Sequence, residues 1–249
     1  MARIGVADFG MFAWYGGFYD YDERLFSIRK IGYDGLERLY PDSAEDALRK
    51  AAQLKKLGMG FATCNAATPE NAIKWTAALG GDYVWGEVYH GSFADYLRRM
   101  EQMGLACRKY GIRVALHNHL GSPVETQEQL ETVLEKCPHV DLLLDTGHLA
   151  VAGGDVRYIV DTYYDRIAAY HLKGWQQSAT PDAQAWQQRG HFCGLEQGDF
   201  PIDNEYVFKN SLNRGFGGWI FVEQDTHQWD PLLDMEENYH VLEKWGWKK

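Results

Sequence analysis

One unit recurs along this chain: an amphipathic helix, a Gly or polar break, then a short apolar strand, about 30 residues per unit and eight times over. Strands are read at Arg3–Asp8, Asp34–Tyr40, Gly60–Asn65, Asp82–Tyr89, Ile112–His119, the run beginning at Leu142, Arg166–Gly174 and Gly217–Asp225. The helices between them are read at about Tyr21–Lys30, Ser43–Gly58, Pro69–Leu79, Phe93–Tyr110, Thr126–Lys136, Val156–Tyr164, Asp203–Arg214 and Pro231–Trp245. In the second helix Ala47, Leu48, Ala51, Leu54 and Leu57 recur at helical spacing, behind Ser43 as N-cap. Strands that alternate with helices form a parallel sheet, because each connection must cross back over it. Eight such units predict an α/β fold, a single (β/α)8 TIM barrel over residues 1–249. An open doubly wound sheet is the alternative; no Gly-rich fingerprint follows the first strand, which weighs against it. The long segment at about 176–201 reads as an irregular loop near the active-site mouth.

Parallel strands are buried on both faces and should hold little charge. The stretch LLLDTGHLAVAGGD, Leu142 to Asp155, therefore stands out: an apolar strand that ends in Asp145 and His148. Other strands end in the same way. Glu37 closes the second, Glu87 and His90 the fourth, and His117 and His119 the fifth, with Glu125 shortly after. His171 and Lys173 close the seventh, and Glu223 and Asp225 the eighth. A barrel gathers these ends around one mouth. Carboxylates converging there would repel each other unless a cation sits among them, and carboxylate plus imidazole donors suit a divalent metal. Mn²⁺ is the first choice, with Co²⁺, Fe²⁺, Zn²⁺ or Mg²⁺ as alternatives. Bland readings exist for individual members: Asp145 as a turn cap, Glu125 as a first-turn acid, Glu37 and Glu87 as arginine partners.

Composition narrows the class. A net charge of −10 disfavours nucleic acid, whose binding rests on Lys and Arg. No apolar run approaches the ~20 residues of a membrane span, and the N-terminus shows no signal-peptide pattern. Cys64, Cys107, Cys137 and Cys193 are widely spaced and read as reduced thiols of a cytoplasmic protein. Trp229, Trp245 and Trp247 are candidates for a homo-oligomer interface or for packing beneath the barrel.

The motifs HNH at His117–His119, VET, LLLDTGH, AGGD, YHLKG and GWIFVEQD together resemble the xylose-isomerase-like sugar phosphate isomerase/epimerase superfamily, and within it the inosose dehydratases. The resemblance runs from about Tyr110 to Asp225; the N-terminal half matches in architecture more than in motif. It implies metal ligands at Glu125, Asp145, His171 and Glu223, with His117 as substitute for Glu125. It implies acid/base or charge-stabilising roles for His117, His119 and Lys173 and a substrate contact from His148; Glu87 is a further acid/base candidate, and Glu37, Trp14 and Trp175 are further candidates for substrate contacts. The implied activity is a divalent-metal-dependent lyase or dehydratase acting on a keto-sugar or inosose-like keto-cyclitol. Removal of a proton beside the carbonyl precedes loss of a β-leaving group. The same site could serve a sugar isomerase or ketose epimerase, or a lyase of 3-keto-glycosides. An abasic-site endonuclease and a non-catalytic sugar-binding subunit are the readings from other classes. The chain departs from the dehydratases in length and in Gly174 and Trp175, which follow HLK where an acidic residue is usual.

Overall fold

Helices and strands alternate as the repeat predicts. The computed structural model describes residues 1–7, 21–86, 91–227 and 230–248. The strands are β1 (Arg3–Val6), β2 (Gly35–Leu39), β3 (Gly60–Cys64), β4 (Tyr83–Trp85), β5 (Arg113–His117), β6 (Val140–Asp145), β7 (Ile167–Leu172), β8 (Gly174–Gln177), β9 (Gly190–Cys193) and β10 (Trp219–Val222). The helices are α1 (Tyr21–Ile31), α2 (Ala44–Lys56), α3 (Pro69–Leu79), α4 (Phe93–Arg108), α5 (Gln127–Lys136), α6 (Thr146–Val151), α7 (Val156–Tyr163), α8 (Trp186–Arg189), α9 (Asn204–Asn213) and α10 (Pro231–Lys244).

Local chemistry sets these boundaries. The Ser43 side chain caps α2 by accepting from Asp46 N. Thr68 caps α3, Pro69 opens it, and Gly80 ends it in the left-handed region at φ 83°. Thr126 and Gln129 form a reciprocal capping box on α5. Within α2 the apolar stripe is narrower than its sequence suggests: Ala47 and Leu54 are buried, whereas Leu48 is 62% exposed.

Among the described residues, β3, β2, β1, β10, β7, β6, β5 and β4 form one parallel sheet in that order. Its edges meet: β3 lies beside β4, and Asp82 N donates to Ala62 O at 2.7 Å across the seam. The sheet is therefore a barrel, not the open alternative. A parallel strand points alternate residues inward. Ala115, Leu143, Ala169, Trp219 and Phe221 fill the interior, with Trp219 and Phe221 stacked at 5.2 Å. Two residues further along the same strands come His117, Asp145, His171 and Glu223. The packed floor and the polar mouth thus belong to one inward-facing parity. A second, larger core lies between the strands and the helices, with Leu36, Val114, Leu142, Leu144 and Ile220 among its fully buried members.

Four sequence-based boundaries shift. The fourth strand is described only over Tyr83–Trp85, and Glu87 and His90 lie outside the described residues, as do Trp14 and Trp229. The seventh ends at Leu172, and a separate strand starts at Gly174. The eighth ends at Val222, so Glu223 and Asp225 stand just beyond it. The segment 176–201 is partly regular: β8 pairs antiparallel with β9 and α8 lies between them, while 178–185 and 194–201 remain irregular. Trp175 and Phe192 of this hairpin bury themselves with Leu120, which docks it over the mouth. Trp245 and Trp247 are buried by their own chain against Phe208 rather than exposed for a partner. All four cysteines are buried and free. Among the described residues no helix is long and apolar enough to cross a membrane.

The floor of the barrel depends on missing side chains. A Cβ at Gly35 would sit 2.0 Å from Gly60 O and 2.8 Å from the Trp219 ring, whereas one at Gly217 would meet nothing. Gly35→Ala should cost about 2–3 kcal/mol and Gly217→Ala less than about 0.5 kcal/mol, measured by urea unfolding. Equal midpoints for the two variants would contradict this packing.

Candidate metal centre and cavity

The inward parity of β5, β6 and β7, and the first residue past β10, bring His117, Asp145, His171 and Glu223 together, one ligand atom from each within 4.8 Å of the others. Asp145 divides its two oxygens. Oδ1 caps α6 by accepting from His148 N at 2.8 Å. Oδ2 faces inward, 3.3 Å from His117 Nε2, 3.6 Å from His171 Nδ1 and 2.9 Å from Lys173 Nζ. One oxygen of Asp145 thus caps the turn, and the other is left facing the group. The neighbouring Asn118 amide locks the strand end: Nδ2 donates to Asp145 O and Oδ1 accepts from Asp145 N, at 3.0 and 2.9 Å.

His171 is fully buried between carboxylates. Its Nδ1 stands 2.8 Å from Glu223 Oε2, and its Nε2 stands 3.1 Å from Glu37 Oε1. Neither nitrogen, nor Glu223 Oε2, makes a well-directed hydrogen bond. Buried polar atoms are almost always paired, so a ring nitrogen such as His171 Nδ1, which stands beside Glu223 and Asp145 without a directed hydrogen bond to either, suits a cation among them. Two imidazoles and two carboxylates fit a divalent metal, and the set leaves one side open to the cavity.

Electrostatics follow from burial and proximity. Burial raises the Asp145 carboxyl, but the Lys173 ammonium, His148, and the His117 and His171 rings beside it outweigh that and hold the group well below the usual carboxylate range. Glu223 follows the same pattern, with His171 and Lys173 overcoming its burial. Burial lowers His171, yet Glu223 and Glu37 hold it well above the usual imidazole value in the metal-free protein. Burial pushes His117 down to about 4 against the pull of Asp145. Lys173 Nζ, 2.5 Å from Glu223 Oε2 and 3.2 Å from Asp225 Oδ2, is the principal counter-charge of the site.

A cavity of about 530 Å³ opens beside this group. His117, His119, His148, Lys173 and Glu223 reach its wall. The His119 and His148 rings lie 3.7 Å apart, tilted by 36°, and both contact the backbone of Leu120. Leu120 O lies 2.6 Å from His119 Nδ1. A carbonyl only accepts, so that nitrogen carries the proton and Nε2 keeps its lone pair. Leu120 N–H donates to His148 Nδ1 at 3.2 Å, which leaves the proton of the neutral ring on Nε2.

Three expected residues stand elsewhere. Glu125 lies on the loop before α5, where Oε2 accepts from Gly121 N at 2.8 Å; it is not brought to the ligand group, and His117 holds the place expected of it. The reason is parity: His117 is the inward residue at the end of β5, whereas Glu125 follows the turn that leaves the strand. Glu37 is fully buried and faces Tyr83, Trp85, Arg38 and His171, not the cavity. Trp175 is also buried, beneath Phe192. Trp14 and Glu87 lie outside the described residues. The sequence reading missed Trp85, Trp186 and Phe192, which supply aromatic wall. Trp85 was within reach, as the inward residue at the end of β4; the other two come from the hairpin, whose fold has no periodic signal of its own.

A family model described as a xylose isomerase-like TIM barrel matches residues 26–245. The chain belongs to this family. Inosose dehydratase of Lactiplantibacillus plantarum is 30% identical to this family member over 160 residues, which cover 61% of this chain and 51% of that protein. The chain spans about half the length of the curated relatives it matches. Of solved structures, the probable 3-DHS dehydratase AsbF from Bacillus anthracis, involved in petrobactin synthesis, superposes with a TM-score of 0.75 at 14% identity, covering 97% of this chain and 98% of that one. The IolI protein with a bound zinc atom gives 0.70 at 16% identity, covering 98% and 96%. At these identities the two structures establish a shared xylose isomerase-like barrel.

The metal-free barrel should weaken in mild acid. His117 and His148 are held neutral below their usual value near 6.5, so unfolding takes up protons as pH falls below it. The stability they contribute is complete above about pH 6.5 and declines toward pH 4. His171, raised, keeps its contribution throughout that window, and depressed Asp145 and Glu223 keep theirs to lower pH. Urea unfolding of chelated protein should lose about 2–3 kcal/mol from His117 alone between pH 7 and pH 4.5. His117→Gln should shrink that difference; an unchanged difference would show that His117 is not buried neutral.

Proposed function

We propose that this protein is a divalent-metal-dependent dehydratase of an inosose-like keto-cyclitol or keto-sugar. The observation that carries the reading is the pair of histidines set to opposite states beside the ligand group. His119 offers a lone pair at Nε2 and His148 offers a proton at Nε2, on one cavity wall. An elimination needs that combination, a base for the carbon acid and an acid for the departing hydroxyl. The inosose dehydratase relatives support the substrate class. The cavity volume suits a single six-membered ring.

His117, Asp145, His171 and Glu223 would hold the metal, with Mn²⁺ our first choice and Zn²⁺ the next. When bound it supplies Lewis acidity toward the substrate carbonyl oxygen. His119 Nε2 takes the proton from the carbon beside the carbonyl, and the C–H pair becomes the new C=C bond. The β-hydroxyl leaves with the C–O pair, hydrogen-bonded by the His148 Nε2–H, and the proton taken up by His119 passes to it to complete water. Lys173, a buried ammonium on the same wall, stabilises negative charge that develops on substrate oxygen. Trp85, Trp186 and Phe192 limit water around the reacting carbons.

Incubated with an inosose, the protein should release a hydroxy-enone, the enol form of a diketone, detectable by its absorbance, lose turnover after EDTA treatment, and regain it with Mn²⁺. Full turnover in chelated protein would refute the metal reading. Proton exchange separates the two histidines. His148→Gln should keep exchange of the α-proton with D2O while elimination falls about 10²-fold or more; His119→Gln should lose both. Exchange and epimerised product without elimination in the wild type would instead assign an epimerase.

A further inference from the structure

We propose that Glu37 is a positioning residue for the metal centre, holding His171 directly and His117 through the indole of Trp85. The proposal rests on the metal reading above. Glu37 occupies the inward position near the end of β2, a strand that contributes no member of the ligand group. An ionised carboxylate with no exposure is costly unless its surroundings compensate it. Here Oε1 accepts from the Tyr83 hydroxyl at 2.7 Å and from Trp85 Nε1 at 2.9 Å, and Arg38 Nε lies 3.3 Å from Oε2. These partners fix the carboxylate, and with it Oε1 stands 3.1 Å from His171 Nε2.

The consequence falls on the two histidines. His171 Nδ1 faces Glu223 and Asp145, whereas Nε2 faces Glu37. A ring in that setting has one tautomer useful for ligation, with the proton on Nε2 toward Glu37 and the lone pair on Nδ1 toward the group. Removing Glu37 frees the ring to choose the other tautomer or to rotate. The second link is Trp85. Its indole donates to Glu37, and its ring packs 4.5 Å from His117 and 5.9 Å from His171. One buried carboxylate on β2 thereby orients ligands on β5 and β7 without touching substrate.

The test uses the full chain and two substitutions. Glu37→Gln keeps an oxygen acceptor and removes the charge; Glu37→Met removes both. Zinc affinity is read by competition with a chromophoric chelator, ligand geometry by the visible absorption of the Co²⁺-loaded protein, and fold by the thermal midpoint of the metal-free protein. Glu37→Met should lower zinc affinity by about 10–100-fold and alter the Co²⁺ bands, with Glu37→Gln between it and wild type. Wild-type affinity and bands in Glu37→Met, whatever its thermal midpoint, would overturn the proposal and leave a structural role only. If Glu37→Met does not fold, Glu37→Gln decides: a loss of roughly 5-fold or more supports the proposal, and no loss overturns it. Wild-type protein that binds neither Zn²⁺ nor Co²⁺ is a distinct result; it removes the metal reading and this inference with it.

Discussion

Three buried carboxylates, Glu37, Asp145 and Glu223, face the interior of one barrel mouth, and the surrounding structure answers their mutual repulsion. Like charges at these separations in a poorly solvated interior cannot remain ionised without cations among them. The protein supplies Lys173 against Asp145, Glu223 and Asp225, and places His171 between Glu37 and the other two. The neutral donors Tyr83 and Trp85 add to Glu37 what charge does not. The acids retain their charge at neutral pH as a consequence, and the imidazole between them retains its proton until a stronger cation displaces it.

The barrel makes this concentration of charge affordable by layering. Trp219 and Phe221 stack as a dry floor, and the glycines of β1 to β3 leave room for those rings. Above the floor the same inward parity turns polar. His117, Asp145 and His171 are therefore each anchored on a strand whose preceding inward residue is packed, and Glu223 directly follows one, so the core rather than a loop sets their positions. The hairpin of β8 and β9 adds the aromatic wall on top. There Leu120 contacts both histidines through its backbone, its carbonyl facing His119 Nδ1 and its N–H donating to His148 Nδ1, which favours different tautomers in the two rings.

Much of this was legible in the chain. The eight-fold alternation predicted the barrel, because helix and strand periods are local properties that survive in sequence. The gathering of Asp145, His171, Lys173 and Glu223 followed from the topology, since every strand end of such a barrel faces one mouth. Glu125 was the misplaced member. The family resemblance implied it, whereas the inward parity at the strand end belongs to His117, the substitute that the strand position offered. Glu37 and Trp175 were expected at the substrate surface because they lie near strand ends; each is covered by a neighbour that lies far away in sequence.

By itself the sequence determined the order of elements, the parallel sheet and the set of ionisable residues available at the mouth, because these depend on periodicity and spacing along one strand at a time. Only the tertiary structure decided which nitrogens of His119 and His148 face the Leu120 backbone, which carboxylates surround His171 and Lys173, and how the 176–201 segment lines the cavity. Those choices depend on contacts between residues tens of positions apart, such as Glu37 with His171 or Leu120 with His148. No local pattern encodes such contacts; the closure of the barrel creates them.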